Sequence, residues 1–153
     1  STDQTSGVKV FGMENWWGNL WRRTAGWILD NGVQKVKLTR GTKDGSTASD
    51  YNIDGSGYLT VADATPSGTT GGYISSMKTE VFGRLPVTAS GSSSTYEADG
   101  MWFNNSGIRY ARVGAYYINS EFLAGPFCTS LIWPASDSCT DNGAALSCKP
   151  LVV

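Results

Sequence analysis

Residues 11–30 read Phe11-Gly-Met-Glu-Asn-Trp-Trp-Gly-Asn-Leu-Trp-Arg-Arg-Thr-Ala-Gly-Trp-Ile-Leu-Asp30, and four of the six tryptophans, Trp16, Trp17, Trp21 and Trp27, fall inside this stretch. Each indole buries a very large apolar area, so much of the core is expected here. Met13, Trp16, Trp17 and Leu20 follow the i, i+3, i+4, i+7 spacing of one helical face, leaving Glu14 and Asn15 to the wet side. The spacing predicts a short helix from Met13 to Gly18. Gly18-Asn19 would cap it, because both residues tolerate the left-handed conformation of a helix end. The period then becomes two: Trp27 and Leu29 alternate, as do Val36 and Leu38 against Lys35, Lys37 and Thr39. Asp30-Asn31-Gly32 between them is a strong hairpin signal, so a β-hairpin is expected over Ala25 to Thr39.

Composition bounds the rest. A chain of 153 residues suits one domain with a single sizeable core, read as an arm at 1–7 and a domain at 8–153. Nineteen glycines, seven tyrosines and abundant Ser and Thr favour short strands and ordered loops. Twelve basic residues against thirteen acidic ones give no reason to expect nucleic acid as a partner. No stretch approaches the roughly 20 apolar residues of a membrane span. No secretory leader is expected within the sequence, and Ser1 is compatible with a cut end. Cys128, Cys139 and Cys148 are an odd set without paired spacing, which argues against a disulfide framework and leaves one bridge or free thiols open. There is no histidine, so the commonest general base and the usual partner of a catalytic serine or cysteine are missing. An enzyme is not expected.

Along the chain, Val8, Val10 and Phe11 form a candidate first strand, and residues 41–72 are rich in Gly, Ser, Thr and Asp with one strand-like island, Tyr58-Leu59-Thr60-Val61. Asp50, Asn52 and Asp54 before Gly55 match the opening of a calcium-binding EF-hand loop, whose closing glutamate would fall at Val61. That departure favours an ordinary Asp-Gly turn over a calcium site. Tyr73 to Val87 reads as a short helix or as two strands joined at Gly83-Arg84, and periodicity does not separate them. Ser90 to Thr95 is a serine loop. Met101-Trp102-Phe103 reads as a buried strand, with Asn104 to Gly107 turning into another from Ile108.

Gly18-Asn19-Leu20-Trp21 resembles the Gly-Asn-Val-Trp signature of the formylglycine-generating-enzyme branch of the C-type lectin fold, with Arg22-Arg23 where that signature continues Glu-Trp. Arg112-Val113-Gly114-Ala115-Tyr116 and Gly143-Ala144-Ala145-Leu146-Ser147 resemble, in degraded form, the two strands that close that branch. The resemblance implies an α+β C-type lectin fold: a short aromatic helix, small antiparallel sheets, and Trp16, Trp17, Trp21, Trp27 and Trp102 as core. Within the branch, the ending is most similar to variable proteins of diversity-generating retroelements, typified by phage tail-fibre adhesins. That implies a virion location at a fibre tip, a bacterial surface protein or glycan as ligand, a variable region over 108–148, and trimers that gain avidity. A location on a bacterial cell surface is the alternative.

In such proteins template adenines are mutated, and altering the first two bases of an asparagine codon never yields Glu, Gln, Lys, Met or Trp. Ala115 to Ser120 and Ser136 to Asn142 pass this test, whereas Glu121, Trp133 and Lys149 fail it. The expected ligand-contacting set is Tyr116, Tyr117, Ile118, Asn119, Phe122, Cys128, Ser130, Ile132, Asp137, Cys139, Thr140 and Asp141. Tyrosine supports this, since it offers rigid contact area and a hydroxyl at low entropy cost. A packed role for the same aromatics is the plainer reading. Arg22-Arg23 fits a solvated pair lying over the tryptophans better than an anion site. Cys128 and Cys148 are too far apart for the close cysteine pair of formylglycine-generating enzymes. The rival reading of function is a static structural or decoration protein with the same fold.

Overall fold

The computed structural model describes residues 9–10, 13–14, 17–38, 51–52, 54–95, 98–116 and 124–143. These residues form thirteen strands and no α-helix, so the expected α+β class is corrected to a nearly all-β fold. The predicted helix at 13–18 does not form. β1 (Lys9–Val10) pairs antiparallel with β2 (Met13–Glu14) instead. Gly18 has φ +76°, and its N–H donates to the Gly114 carbonyl at 2.6 Å. Distant partners therefore take backbone groups that a helix would bond locally, and local spacing is overridden by pairing nearly a hundred residues away.

The hairpin is found where the turn residues place it. β3 (Trp21–Asp30) pairs antiparallel with β4 (Val33–Val36). Asn31 and Gly32 form the two-residue turn, at φ 47° and 83°, which is type I′ geometry matching the twist of the strands. The turn is also tied to the next hairpin. Asn31 N donates to Gly107 O at 3.0 Å, and Gly107 N donates to Asn31 Oδ1 at 2.9 Å.

The largest sheet runs β5 (Leu59–Thr60), β4, β3, β11 (Ile108–Val113), β12 (Thr129–Leu131), β10 (Gly100–Phe103) and β7 (Gly71–Tyr73). β13 (Asn142–Gly143) lies parallel beside the first residues of β3. A second sheet orders β6 (Ser67–Gly68), β9 (Gly83–Ala89) and β8 (Ser76–Glu80). Residues 73–87 thus resolve into strands, with the tight connection at Val81-Phe82 rather than Gly83-Arg84.

The two faces of the large sheet differ. One carries Trp27, Leu29, Val36, Met101, Phe103, Ala111 and Leu131, which pack with Ile74, Leu85 and Ala89 from the smaller sheet and its approach. Burial of such side chains stabilises by about 1.5–3 kcal/mol each. Gln34 is fully buried in this interface and satisfied from both sides. It accepts from Trp27 Nε1 at 3.0 Å and donates to Ala64 O and Pro86 O, each at 2.8 Å.

The other face carries Ile28, Tyr110, Arg112, Arg23, Ser130 and Trp102, because residues paired directly across strands point the same way. Among the described residues, irregular segments lie over it. Gly55 stands over Ile28, Ala124 and Cys128 pack with Trp21 and Trp102, and residues 133–142 lie against Arg112. β3 bends to reach this segment. Ile28 pairs with Tyr110, yet Arg23 pairs with Arg112, so residues 24–27 form a bulge. Gly26 makes the bulge close: φ is +78°, and a Cβ there would stand 2.6 Å from Lys37 O.

Of the expected core tryptophans, Trp21 and Trp27 are buried, whereas Trp17 and Trp102 are half-buried. Trp16 lies outside the described residues.

Candidate functional site: a loop held against the sheet

The site grows from Arg112. In β11 it alternates with Ala111 and Val113, which face the core, so its guanidinium points to the opposite face. There it is 3% exposed. Its Cζ lies 5.4 Å from the Trp21 ring centroid and 5.5 Å from that of Trp133, a cation between two indoles. Nη1 donates to Asn142 Oδ1 at 2.9 Å. Two carboxylates supply counter-charge, with Nη1 3.5 Å from Asp137 Oδ2 and 3.7 Å from Asp141 Oδ1. Burial pulls the guanidinium pKa down, while Asp141 and then Asp137 pull it back up.

Arg23, opposite Arg112 on β3, works on the loop's main chain. Nη1 donates to Ala135 O at 3.2 Å, and Nη2 donates to Asp137 O. Backbone amides take other carbonyls: Tyr110 N donates to Trp133 O at 3.0 Å and Trp21 N to Asp141 O at 2.8 Å. Within the loop Asp137 N donates to Pro134 O at 3.1 Å and Asn142 N to Cys139 O at 3.2 Å. The segment is thus fixed through its own carbonyls, while the side chains of Ala135, Ser136, Ser138, Cys139 and Thr140 are exposed. The scaffold grips the loop through these carbonyls and through the side chains of Asp137, Asp141 and Asn142, and not through Ser136, Ser138 or Thr140.

The expected contact set divides accordingly. Cys139 and Thr140 are exposed on the loop. Asp137 and Asp141 lie on the same loop but turn toward Arg112. Cys139 Sγ donates to Asp137 Oδ1 at 3.1 Å, and this bond raises the thiol pKa. Ile132 is half-buried beside Trp133. Tyr116 is half-buried and packs with Trp21, Ala115 and Cys128. Cys128 and Ser130, at 0% and 2% exposure, are inside the protein and present nothing to a ligand. Burial pushes the Cys128 thiol to about 12, so it is an inert core residue. Tyr117, Ile118, Asn119 and Phe122 lie outside the described residues.

The sequence reading missed Arg112, Trp133, Ser136 and Ser138 as members of this site. One signal was available: an arginine inside an alternating strand, between small apolar residues, needs a partner on the second face.

The calcium candidate sits elsewhere on the same face, with Asp50 outside the described residues. Asp54 Oδ1 accepts from Ser56 N at 2.9 Å, Asn52 Nδ2 donates to Ser56 O at 2.7 Å, and Val61, at the closing position, is buried in the core. Tyr110 Oη donates to Asn52 O at 2.8 Å. Among the described residues, Asp54 and Asn52 are thus engaged in an Asx-type turn, and no group of three acidic, cysteine or histidine side chains assembles.

Compared with known proteins, the chain matches no family model, no curated protein and no solved structure.

Proposed function

We propose that this chain is a ligand-recognition domain without chemistry, a retroelement-diversified adhesin from a phage tail-fibre tip that binds a bacterial surface protein or glycan. One observation carries the reading: residues 133–142 are gripped through carbonyls by Arg23, Tyr110 and Trp21, while Ser136, Ser138, Cys139 and Thr140 point outward. That is the arrangement a variable surface needs, since the main-chain grip on the loop does not run through those four side chains. A further support is spatial. The described parts of the stretches carrying the family resemblance adjoin: Gly18 bonds Gly114, Asn19 bridges Tyr116, and Gly143 pairs with Arg22 just after Trp21. The proposed reader is therefore Tyr116 with residues 136 and 138–140, on a β scaffold. Asp137, Asp141, Cys128 and Ser130 support it from below.

The burial of Cys128 and Ser130 favours the rival static protein for that strand. Sequencing the DNA around the gene separates the two. The adhesin reading expects a near-repeat of the segment encoding residues 108–148 beside a reverse transcriptase, differing at template adenines. Absence of that repeat would leave the static reading the better one.

A further inference from the structure

The outer face of Trp133 narrows the ligand, on the assumption that the recognition reading above is right. Trp133 is 41% exposed, and its ring is backed by Arg112, which is backed in turn by Trp21. The indole is the exposed member of a cluster with Arg112 and Trp21, which are both buried. Its plane is fixed before a ligand arrives, which lowers the ordering cost of binding. The surroundings are electrically balanced, with Arg23 and Arg112 set against Asp137 and Asp141. Among the described residues of the site, these charges balance.

The exposed hydroxyls of Ser136, Ser138 and Thr140 follow Trp133 around the turn closed by Asp137 N and Pro134 O.

We propose that Trp133 is the stacking platform of a subsite for a neutral pyranose. The apolar C–H face of the sugar lies on the indole. Its hydroxyl edge addresses the exposed hydroxyls of Ser136, Ser138 and Thr140.

The test is a titration of the ¹⁵N-labelled protein with the methyl glycosides of glucose, galactose, mannose and N-acetylglucosamine, with sodium glucuronate as the charged comparator. The Trp133 indole N–H signal is assigned by Trp133→Phe. Expected is a saturable shift of that signal with at least one neutral glycoside, about tenfold weaker with glucuronate, and loss in Trp133→Ala of the glycoside-induced backbone amide shifts at residues 136–140. A Trp133 signal unmoved by every neutral glycoside overturns the proposal, as does unchanged glycoside binding by Trp133→Ala. If Trp133→Ala does not fold, the shift in the native protein decides alone. Silence across the panel, with adhesion to whole bacteria still dependent on residues 136–140, sinks the sugar subsite and leaves the recognition reading standing. Adhesion indifferent to those residues removes that reading too.

Discussion

At the scale of single residues, Arg112 joins fold and site. It is a buried cation whose charge is met by Asp137 and Asp141 and whose Cζ lies over the rings of Trp21 and Trp133. Removing one partner of a buried ion pair strands the others, so Arg112→Ala is expected to cost about 3–5 kcal/mol in urea denaturation. Arg112→Lys keeps charge but loses the planar stack and the fork, and should recover only part. A loss under about 1 kcal/mol for Arg112→Ala would place the loop's anchorage elsewhere. Tyr58 gives a pH prediction. Burial, then the neighbouring Tyr110, Tyr51 and Asp54, raise its pKa from 10.0 to about 12. A raised phenol pKa contributes stability that is complete below pH 10 and is lost as pH climbs from there to about 12. Stability should fall across that window, and Tyr58→Phe should flatten the fall; an equal slope in the variant would assign it to other groups.

Among the elements, the β3–β4 hairpin was legible and the helix before it was not, for one physical reason. Asp30-Asn31-Gly32 encodes its turn locally, through residues that accept positive φ. The spacing of Met13, Trp16, Trp17 and Leu20 is equally regular, but Met13 pairs with Val10 in a strand, and Gly18, Asn19 and Trp21 are held by residues 114, 116 and 141, which no local window contains. The bulge at residues 24–27 is hidden in the same way, since Gly26 is demanded by Lys37 across the hairpin. Gly32→Ala tests the turn. Space is not the obstacle, because the nearest atom to an added Cβ, in Asn105, is 3.5 Å away; the obstacle is φ +83°. A loss of about 1–2 kcal/mol is expected from thermal unfolding. A neutral substitution would mean the turn relaxes freely.

Over the whole molecule, two sheets meet on one face of β3, β11, β12 and β10, and irregular segments cover the other. Glycine-rich composition made strands and loops legible; the pairing of sheet with sheet was not, because it hangs on residues such as Gln34 whose partners are 30 and 52 positions away. Gln34→Leu fills similar space but orphans Trp27 Nε1, Ala64 O and Pro86 O, and should cost at least about 2 kcal/mol. Full stability in that variant would mean water replaces the amide. The candidate site was half legible: its exposed loop lies in the stretch the codon test passes, while its supports, Arg23, Arg112 and Trp133, are defined only by the fold.

On the recognition reading, the loop's backbone belongs to the fold and its outward side chains belong to the ligand. The most direct test displays two libraries, one randomised at Ser136, Ser138, Cys139 and Thr140, the other at Arg23, Arg112, Asp137 and Asp141, and measures the protease-resistant fraction of each. The account predicts that most members of the first library fold as the parent does and few of the second do. Equal losses in both would contradict it, because the outward side chains would then be part of the structure rather than free to read a ligand.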